Sequence, residues 1–223
     1  MASPAFRGFS AAAFDFYEGL EDDNTKTYWL DNKPVFDVEV KGRMQELLDS
    51  FPATFGKWHT FRPNRDVRFA KDKSPYKTQH GAVADDGSAI HYVQLSAAGI
   101  MAATGAYMLA TDQIERLRAA VADDTTGPAL EKIISALTKK GFRVGPGGNE
   151  PLKTAPKGYP NDHPRIERLR WKGCIVSIDL TDEKEITSPG VRETILSFWK
   201  AAAPLNRWLD ANVGPSDLPE MHR

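Results

Sequence analysis

The sequence predicts an α+β protein with a mainly antiparallel sheet, flanking helices, and helical segments near both ends of the chain. Hydrophobic residues first recur with the helical period of about 3.6 residues, and further along the chain the period becomes 2, as in strands. The candidate strands follow one another between helical blocks, an order that favours the α+β class. The 223 residues fit a single domain, 1–223, with an ordered core at about 8–213 and a short tail at 214–223.

Two helices are predicted in the first part of the chain. The first covers residues 10–20, with Ser10 as its N-cap. The second begins at Asp31-Asn32-Lys33-Pro34, because proline is favoured in the first turn of a helix. The apolar residues of the second helix recur at helical spacing, at Phe36, Val40, Met44, Leu47, Leu48 and Phe51.

The middle of the chain is predicted to form the sheet and then two amphipathic helices. Alternating apolar and polar residues predict strands at 65–70, 79–84, 89–97 and 99–109, with a hairpin turn at 85–88. One of the helices is capped by Thr111, and the other runs from Pro128 to Lys140.

The last part of the chain begins with an irregular, glycine- and proline-rich loop at 143–161. A short helix opens at Asp162-His163-Pro164, and a last strand covers 175–180. The C-terminal helix begins at Ser188-Pro189, and Pro204 is predicted to interrupt it, because proline removes a helical hydrogen bond.

Composition narrows the class of protein. Apolar residues make up 41% and charged residues 26% of the chain, which are ordinary values for a folded protein. No apolar run approaches the roughly 18–20 residues that span a bilayer, so no membrane partner is expected. The N-terminus lacks a secretion-signal pattern and Cys174 is the single cysteine, which together favour the cytoplasm. A net charge of −1 argues against indiscriminate binding to DNA.

The charge is concentrated in one place. The stretch between Arg62 and Lys77, here called the basic motif, holds six cations and two carboxylates in a chain whose net charge is −1. Such an island focuses the electrostatic field and concentrates anions. The members of the motif that are predicted to bind an anion are Arg62, Arg65, Arg68, Lys73, Tyr76 and Lys77.

An extended backbone would give this motif two faces. Val67 and Phe69 would then be buried, whereas Arg68 would line a concave surface. Asp66, placed among arginines, should have a pKa below its usual range and should orient their guanidinium groups. Asp66 and His80 are the nearest candidates for proton transfer, although the sequence does not establish an enzyme or a cofactor.

Three functions compete for this motif. The first is a pocket for a small phosphorylated or carboxylated ligand, with or without acid–base chemistry. The second is a nucleic-acid-binding module, in which Tyr76 or Phe69 stacks on a base. The third is a purely structural network of ion pairs in an interaction protein.

The loop at 143–161 and the start of the next helix supply a second candidate region. Lys157, Tyr159 and His163 are suited to close over an anion as a lid. The alternative is a rigid connector in which Tyr159 packs as a plug and Asp162 or His163 caps the next helix.

Neither the histidines nor the cysteine indicates a metal site or a nucleophile. The five histidines, which include His91, lack the spacing of zinc ligands. Cys174 begins an apolar strand without a basic neighbour, which predicts a buried, unreactive thiol.

The order of residues in the basic motif resembles the signature of a known family. It reads R-x-x-R-D-x-R-F-x-x-D-K-x-x-Y-K-x-x-x-G from Arg62 to Gly81. This is similar to a family of bacterial and fungal proteins called domain of unknown function 2461. Further similarities lie at 24–29, 156–164 and 204–206. Ala102-Ala103-Thr104-Gly105 stands where many members carry a run of glycines. The resemblance implies one domain over nearly the whole chain and no established activity.

Overall fold

A computed structural model describes residues 5–68, 70–85 and 89–218. The strands in these ranges are β1 (His59–Thr60), β2 (Gln79–Asp85), β3 (Ile90–Ser96), β4 (Gly99–Ala106), β5 (Arg143–Gly145) and β6 (Cys174–Leu180). They form one six-stranded sheet in the order β1-β2-β3-β4-β6-β5. The β1–β2 and β5–β6 pairs are antiparallel, with His59 opposite Val83 and Arg143 opposite Ser177.

The α-helices that accompany this sheet are α1 (Ala11–Asp22), α2 (Lys26–Val35), α3 (Arg43–Ser50), α4 (Thr111–Ala122), α5 (Thr126–Lys139), α6 (Ile166–Leu169), α7 (Glu183–Ile186) and α8 (Val191–Asn212). Helices and an antiparallel sheet occur in separate blocks of the chain, so the predicted α+β class is confirmed. The predicted hairpin turn at 85–88 lies mostly outside the described residues.

The chain divides into two compact units, each assembled from separate segments. The first contains the described residues up to 84, with 92–102 and 179–197. The second contains the described residues at 85–91, at 103–178 and from 198 onward. In the first unit, an aromatic cluster of Phe16, Trp29 and Phe36 fills the core between α1 and α2.

The predicted second helix differs from the observed one in its start and in its backbone. It begins earlier, at Lys26, where Thr25 caps α2 by accepting a hydrogen bond from the Tyr28 amide. Pro34 therefore lies inside the helix, and the backbone widens after Val35 into a π-helix at Phe36–Gly42 before α3 begins. Proline lacks the amide proton that continues the helical hydrogen-bond ladder, and π-helical turns occur often at functional sites. The six apolar residues predicted on this helix are all buried.

The predicted strand at 65–70 is wrong, because the described residues there form no strand. Two aspartates turn the backbone instead. An Asp66 carboxylate oxygen accepts a hydrogen bond from the Arg68 amide at 3.2 Å, and an Asp72 oxygen accepts one from the Ser74 amide at 2.9 Å. Such aspartate side chains compete with the hydrogen bonds of a sheet and favour turns.

In the second unit, the structure differs from three predictions that were based on local sequence. Ala110, not Thr111, is the N-cap of α4, and Gln113 supplies the capping oxygen at 3.0 Å from the Ala110 amide. The predicted loop at 143–161 contains β5, which pairs with β6. Helix α8 continues through Pro204, whose ring is exposed, because residues such as Leu205 and Trp208 around it are buried.

Gly105 is a position in β4 where the backbone requires glycine. Its φ angle is +123°, a conformation that other residues rarely adopt. A Cβ atom placed there would lie 2.4 Å from the Cys174 carbonyl oxygen. Glycine at this position therefore permits close packing of β4 against β6.

Candidate functional site

The end of the basic motif is anchored to the N-terminal helices. The Tyr76 ring stacks on Trp29, with 4.3 Å between ring centres and 9° between planes. The Asn24 side chain donates a hydrogen bond to the Tyr76 carbonyl at 3.0 Å and accepts one from its amide at 3.1 Å. Tyr76 is only 8% exposed, so its ring is not accessible for stacking on a base. We assign it a structural role.

Replacing Asn24 should loosen the motif. Asn24→Ala removes both hydrogen bonds to the Tyr76 backbone, and we expect a loss of about 2 kcal/mol in the free energy of unfolding, since half-buried partners are left unsatisfied. Urea unfolding would measure this loss. Asn32→Ala is the control, because the Asn32 side chain donates to the Tyr28 carbonyl, one turn back in its own helix, and bonds to no other described residue. Equal losses in the two variants would contradict the anchoring role of Asn24.

Three of the predicted anion-binding cations are held within the motif itself. The Arg68 guanidinium forms a two-pronged pair with Asp66, with Nε–Oδ1 at 2.9 Å and Nη2–Oδ2 at 2.6 Å. Arg65 pairs with Asp72, and the Lys73 ammonium donates to the Val67 carbonyl at 2.9 Å. This part of the motif therefore fits the third of the competing functions, a structural network of ion pairs.

The predicted faces of the motif are not present. The Arg68 side chain is 76% exposed, and Val67 is half-buried rather than buried. Phe69 lies outside the described residues. The predicted direction of the Asp66 pKa is confirmed, because hydrogen bonds from Arg68 lower that pKa to about 2. Asp66 is accordingly ionised at neutral pH and holds Arg68 in place, while Arg62 acts on its pKa more weakly.

A bulge brings the two ends of the motif together. The Phe61 amide donates to the Gly81 carbonyl, and Asn64 pairs with Tyr76 in an isolated antiparallel bridge. The chain takes three residue steps from Phe61 to Asn64 but five from Tyr76 to Gly81. The Lys77 amide donates to the Pro63 carbonyl at 2.8 Å, so the extra residues fall between Lys77 and Gly81. Bulges of this kind often lie next to active sites, because they redirect side chains.

His80 lies at the end of this bulged region, near the start of β2. It is 3% exposed, and neither ring nitrogen has a hydrogen-bond partner among the described residues. The edge of its ring meets Phe36 of the π-helix, with 5.6 Å between ring centres. Burial lowers the His80 pKa to about 4, assisted by the positive charges of Lys41 and Lys77. The imidazole is therefore neutral at pH 7, with one N–H donor and one acceptor.

Two cations act on this histidine, and a third acts on one of them. Lys41 and Lys77 both act on its pKa, and burial together with the charge of Arg62 lowers the pKa of Lys77. Within the described part of the chain, none of the three forms an ion pair with a carboxylate. We call Lys41, Arg62, Lys77 and His80 the His80 site. Like charges that act on one another repel, and a bound anion relieves that repulsion.

Sequence reasoning identified three members of the His80 site and missed Lys41. This lysine lies 21 residues before Arg62. It comes from the π-helix, whose wider turn cannot be recognised from the spacing of apolar residues.

The second predicted region belongs to the second unit. Lys157 is exposed and Tyr159 is half-buried. The His163 Nδ1 atom accepts a hydrogen bond from the Arg165 amide at 3.0 Å, next to the start of α6. That contact favours the capping role over the lid.

The remaining candidates do not supply reactive groups. Cys174 is fully buried, and burial raises the pKa of its thiol to about 12, as an unreactive thiol requires. In the ranges that the structure describes, no group of three or more His, Cys, Asp or Glu side chains could hold a metal ion. His91 is buried, and the edge of its ring meets Trp199 at 5.2 Å between ring centres.

The fold and the site define an α+β protein with cationic side chains that act on a buried, neutral histidine. None of its described helices is long and apolar enough to cross a membrane. The chain belongs to the family of conserved hypothetical proteins called domain of unknown function 2461, whose family model matches residues 12–208. No curated protein and no solved structure matched the chain.

Proposed function

We propose that this protein binds a small phosphorylated or carboxylated ligand at the His80 site. The observation that carries the proposal concerns contacts among the described residues. There the two buried ring nitrogens of His80 have no hydrogen-bond partner, and the cations that act on His80 and Lys77 form no ion pair with a carboxylate. An unsatisfied buried polar side chain costs folding free energy, and such groups are usually completed by water, an ion or a ligand.

The three cations and the imidazole have complementary functions. Arg62 offers a planar guanidinium that can contact two oxygens of one anion, whereas Lys41 and Lys77 offer ammonium groups. The neutral His80 ring can donate one N–H to an anion oxygen without first being protonated. A ligand here would replace mutual repulsion among the cations with attraction.

Acid–base chemistry at this site would have a restricted form. With a pKa near 4, His80 is not an imidazolium at neutral pH and is therefore not a general acid. Its neutral ring would act as a hydrogen-bond donor or a weak base. Binding is therefore the function that the site supports best. We place this function in the cytoplasm, in keeping with the single cysteine of the chain.

Isothermal titration calorimetry with inorganic phosphate, pyrophosphate and citrate tests the proposal. At least one of these anions is expected to bind, and Lys77→Met should weaken binding by about tenfold or more, because a charged hydrogen bond is lost. Lys71→Met is the matched control. It removes the same charge from the same motif, but Lys71 forms no ion pair or hydrogen bond with the described residues.

Two results would contradict the proposal. One is the absence of binding by all three anions in low-salt buffer. The other is an equal loss of affinity in Lys77→Met and Lys71→Met, which would indicate attraction by net charge rather than a built site.

A further inference from the structure

An aromatic surface lies beside the His80 site in the first unit. The Phe61 ring is 44% exposed, and its centre is 6.3 Å from that of Tyr92 on β3. Gly81 makes this arrangement possible, since a Cβ atom there would lie 2.5 Å from the Tyr92 hydroxyl oxygen. The absence of a side chain at Gly81 lets the phenol ring lie against the backbone of β2.

A polar group with an unused donor completes this surface. The Tyr92 hydroxyl donates a hydrogen bond to Gln94 Oε1 at 2.8 Å. That bond uses the carbonyl end of the Gln94 carboxamide, and its amino end bonds to none of the described residues. We call Phe61, Tyr92 and Gln94 the aromatic platform. It offers a flat apolar ring together with a hydrogen-bond donor.

Lys77 connects the platform with the His80 site. Its ammonium nitrogen lies 5.4 Å from the centre of the Phe61 ring, a cation–π distance. The same ammonium acts electrostatically on His80 and is itself affected by Arg62. An anionic group bound by Lys77 therefore places whatever is attached to it near Phe61.

We infer that the ligand of the His80 site is a nucleoside monophosphate, whose phosphate meets Lys77 and Arg62 while its base stacks on Phe61. The inference rests on the proposed function and adds the uncharged part of the ligand, which includes the base. Three cations that pair with no carboxylate of the described residues match a phosphate dianion better than a single carboxylate. Stacking on an exposed aromatic ring suits every nucleobase, and the Gln94 amino group can donate to a base carbonyl or ring nitrogen.

Calorimetric titrations of the full chain with AMP, GMP, CMP and UMP, compared with ribose 5-phosphate, test this inference. Ribose 5-phosphate has the same sugar and phosphate but no base. At least one nucleotide is expected to bind about tenfold more tightly than ribose 5-phosphate. Phe61→Leu should remove most of that preference, and Phe61→Tyr should retain it, because tyrosine preserves the stacking surface. Leu30→Ala changes another exposed apolar side chain, and should leave the preference unchanged.

The possible failures can be told apart. If inorganic phosphate and ribose 5-phosphate bind but no nucleotide binds more tightly, the base contact is overturned and the proposed function stands. If no phosphate compound binds, both are overturned. If a single-stranded oligonucleotide binds far more tightly than any nucleotide, with a steep dependence on salt, the free nucleotide is overturned in favour of nucleic acid.

Discussion

Lowering the pH from 7 to 4 should destabilise this protein through His80. Burial lowers the pKa of this imidazole from its usual 6.5 to about 4 in the folded protein. Below pH 6.5 the unfolded chain therefore binds a proton that the folded chain does not bind, and acid favours unfolding. The contribution of His80 is complete above pH 6.5 and declines as the pH falls towards 4. The pKa difference corresponds to a loss of about 3 kcal/mol.

Urea unfolding at several pH values, in buffers without phosphate, would measure this dependence. Because carboxylates also titrate in this range, the quantity of interest is the difference between the wild-type protein and His80→Phe. That variant should lose less stability between pH 6.5 and pH 4, by about 3 kcal/mol. His59→Gln is the control, since His59 is exposed on β1. If the curves of wild type and His80→Phe were parallel, the histidine would not be held neutral by burial.

The second large effect is expected at Gly105. Gly105→Ala forces a non-glycine residue into a φ angle of +123° and places a methyl group 2.4 Å from the Cys174 carbonyl oxygen. Backbone strain and overpacking each cost about 1–3 kcal/mol, so we expect a loss of about 4 kcal/mol in the free energy of unfolding. Chemical denaturation of the purified variant would measure this loss.

Gly141→Ala separates the two contributions. Gly141 also has a positive φ angle, +84°, but apart from Gly141 itself and its two chain neighbours, no described residue has an atom within 4 Å of the position of its Cβ. This variant should therefore lose only the cost of strain, about 1–2 kcal/mol. Similar losses at both positions would show that the contact between Gly105 and Cys174 adds nothing.

The sequence predicted the fold well where one strong pattern dominated. The apolar stripe from Phe36 to Phe51 is buried as expected, and β2, β3, β4 and β6 lie close to their predicted positions. Errors occurred where a local signal competed with packing. Pro204 was predicted to interrupt the C-terminal helix, yet α8 continues through it. The stabilisation from the long buried face of α8 exceeds the cost of one missing hydrogen bond.

The candidate site was predictable in its location but not in its arrangement. The density of cations pointed to the basic motif, and Arg62, Lys77 and His80 all lie in or beside it. Period-2 alternation suggested that Arg68 would line the pocket. Asp66 instead turns the chain and binds Arg68 at the surface, an interaction that a pattern of apolar and polar residues cannot reveal.

The π-helix at Phe36–Gly42 has an evolutionary consequence. A π-helical turn holds more residues than an α-helical turn, so deleting one residue between Phe36 and Lys41 would restore a regular helix. Because the wider π-helical turn absorbs the additional residue, the lysine would keep nearly the same direction around the helix axis after such a deletion. A relative with this deletion would therefore keep both the cations of the basic motif and the lysine beside His80. A one-residue gap in an alignment of the family at this point is thus expected to leave ligand binding intact.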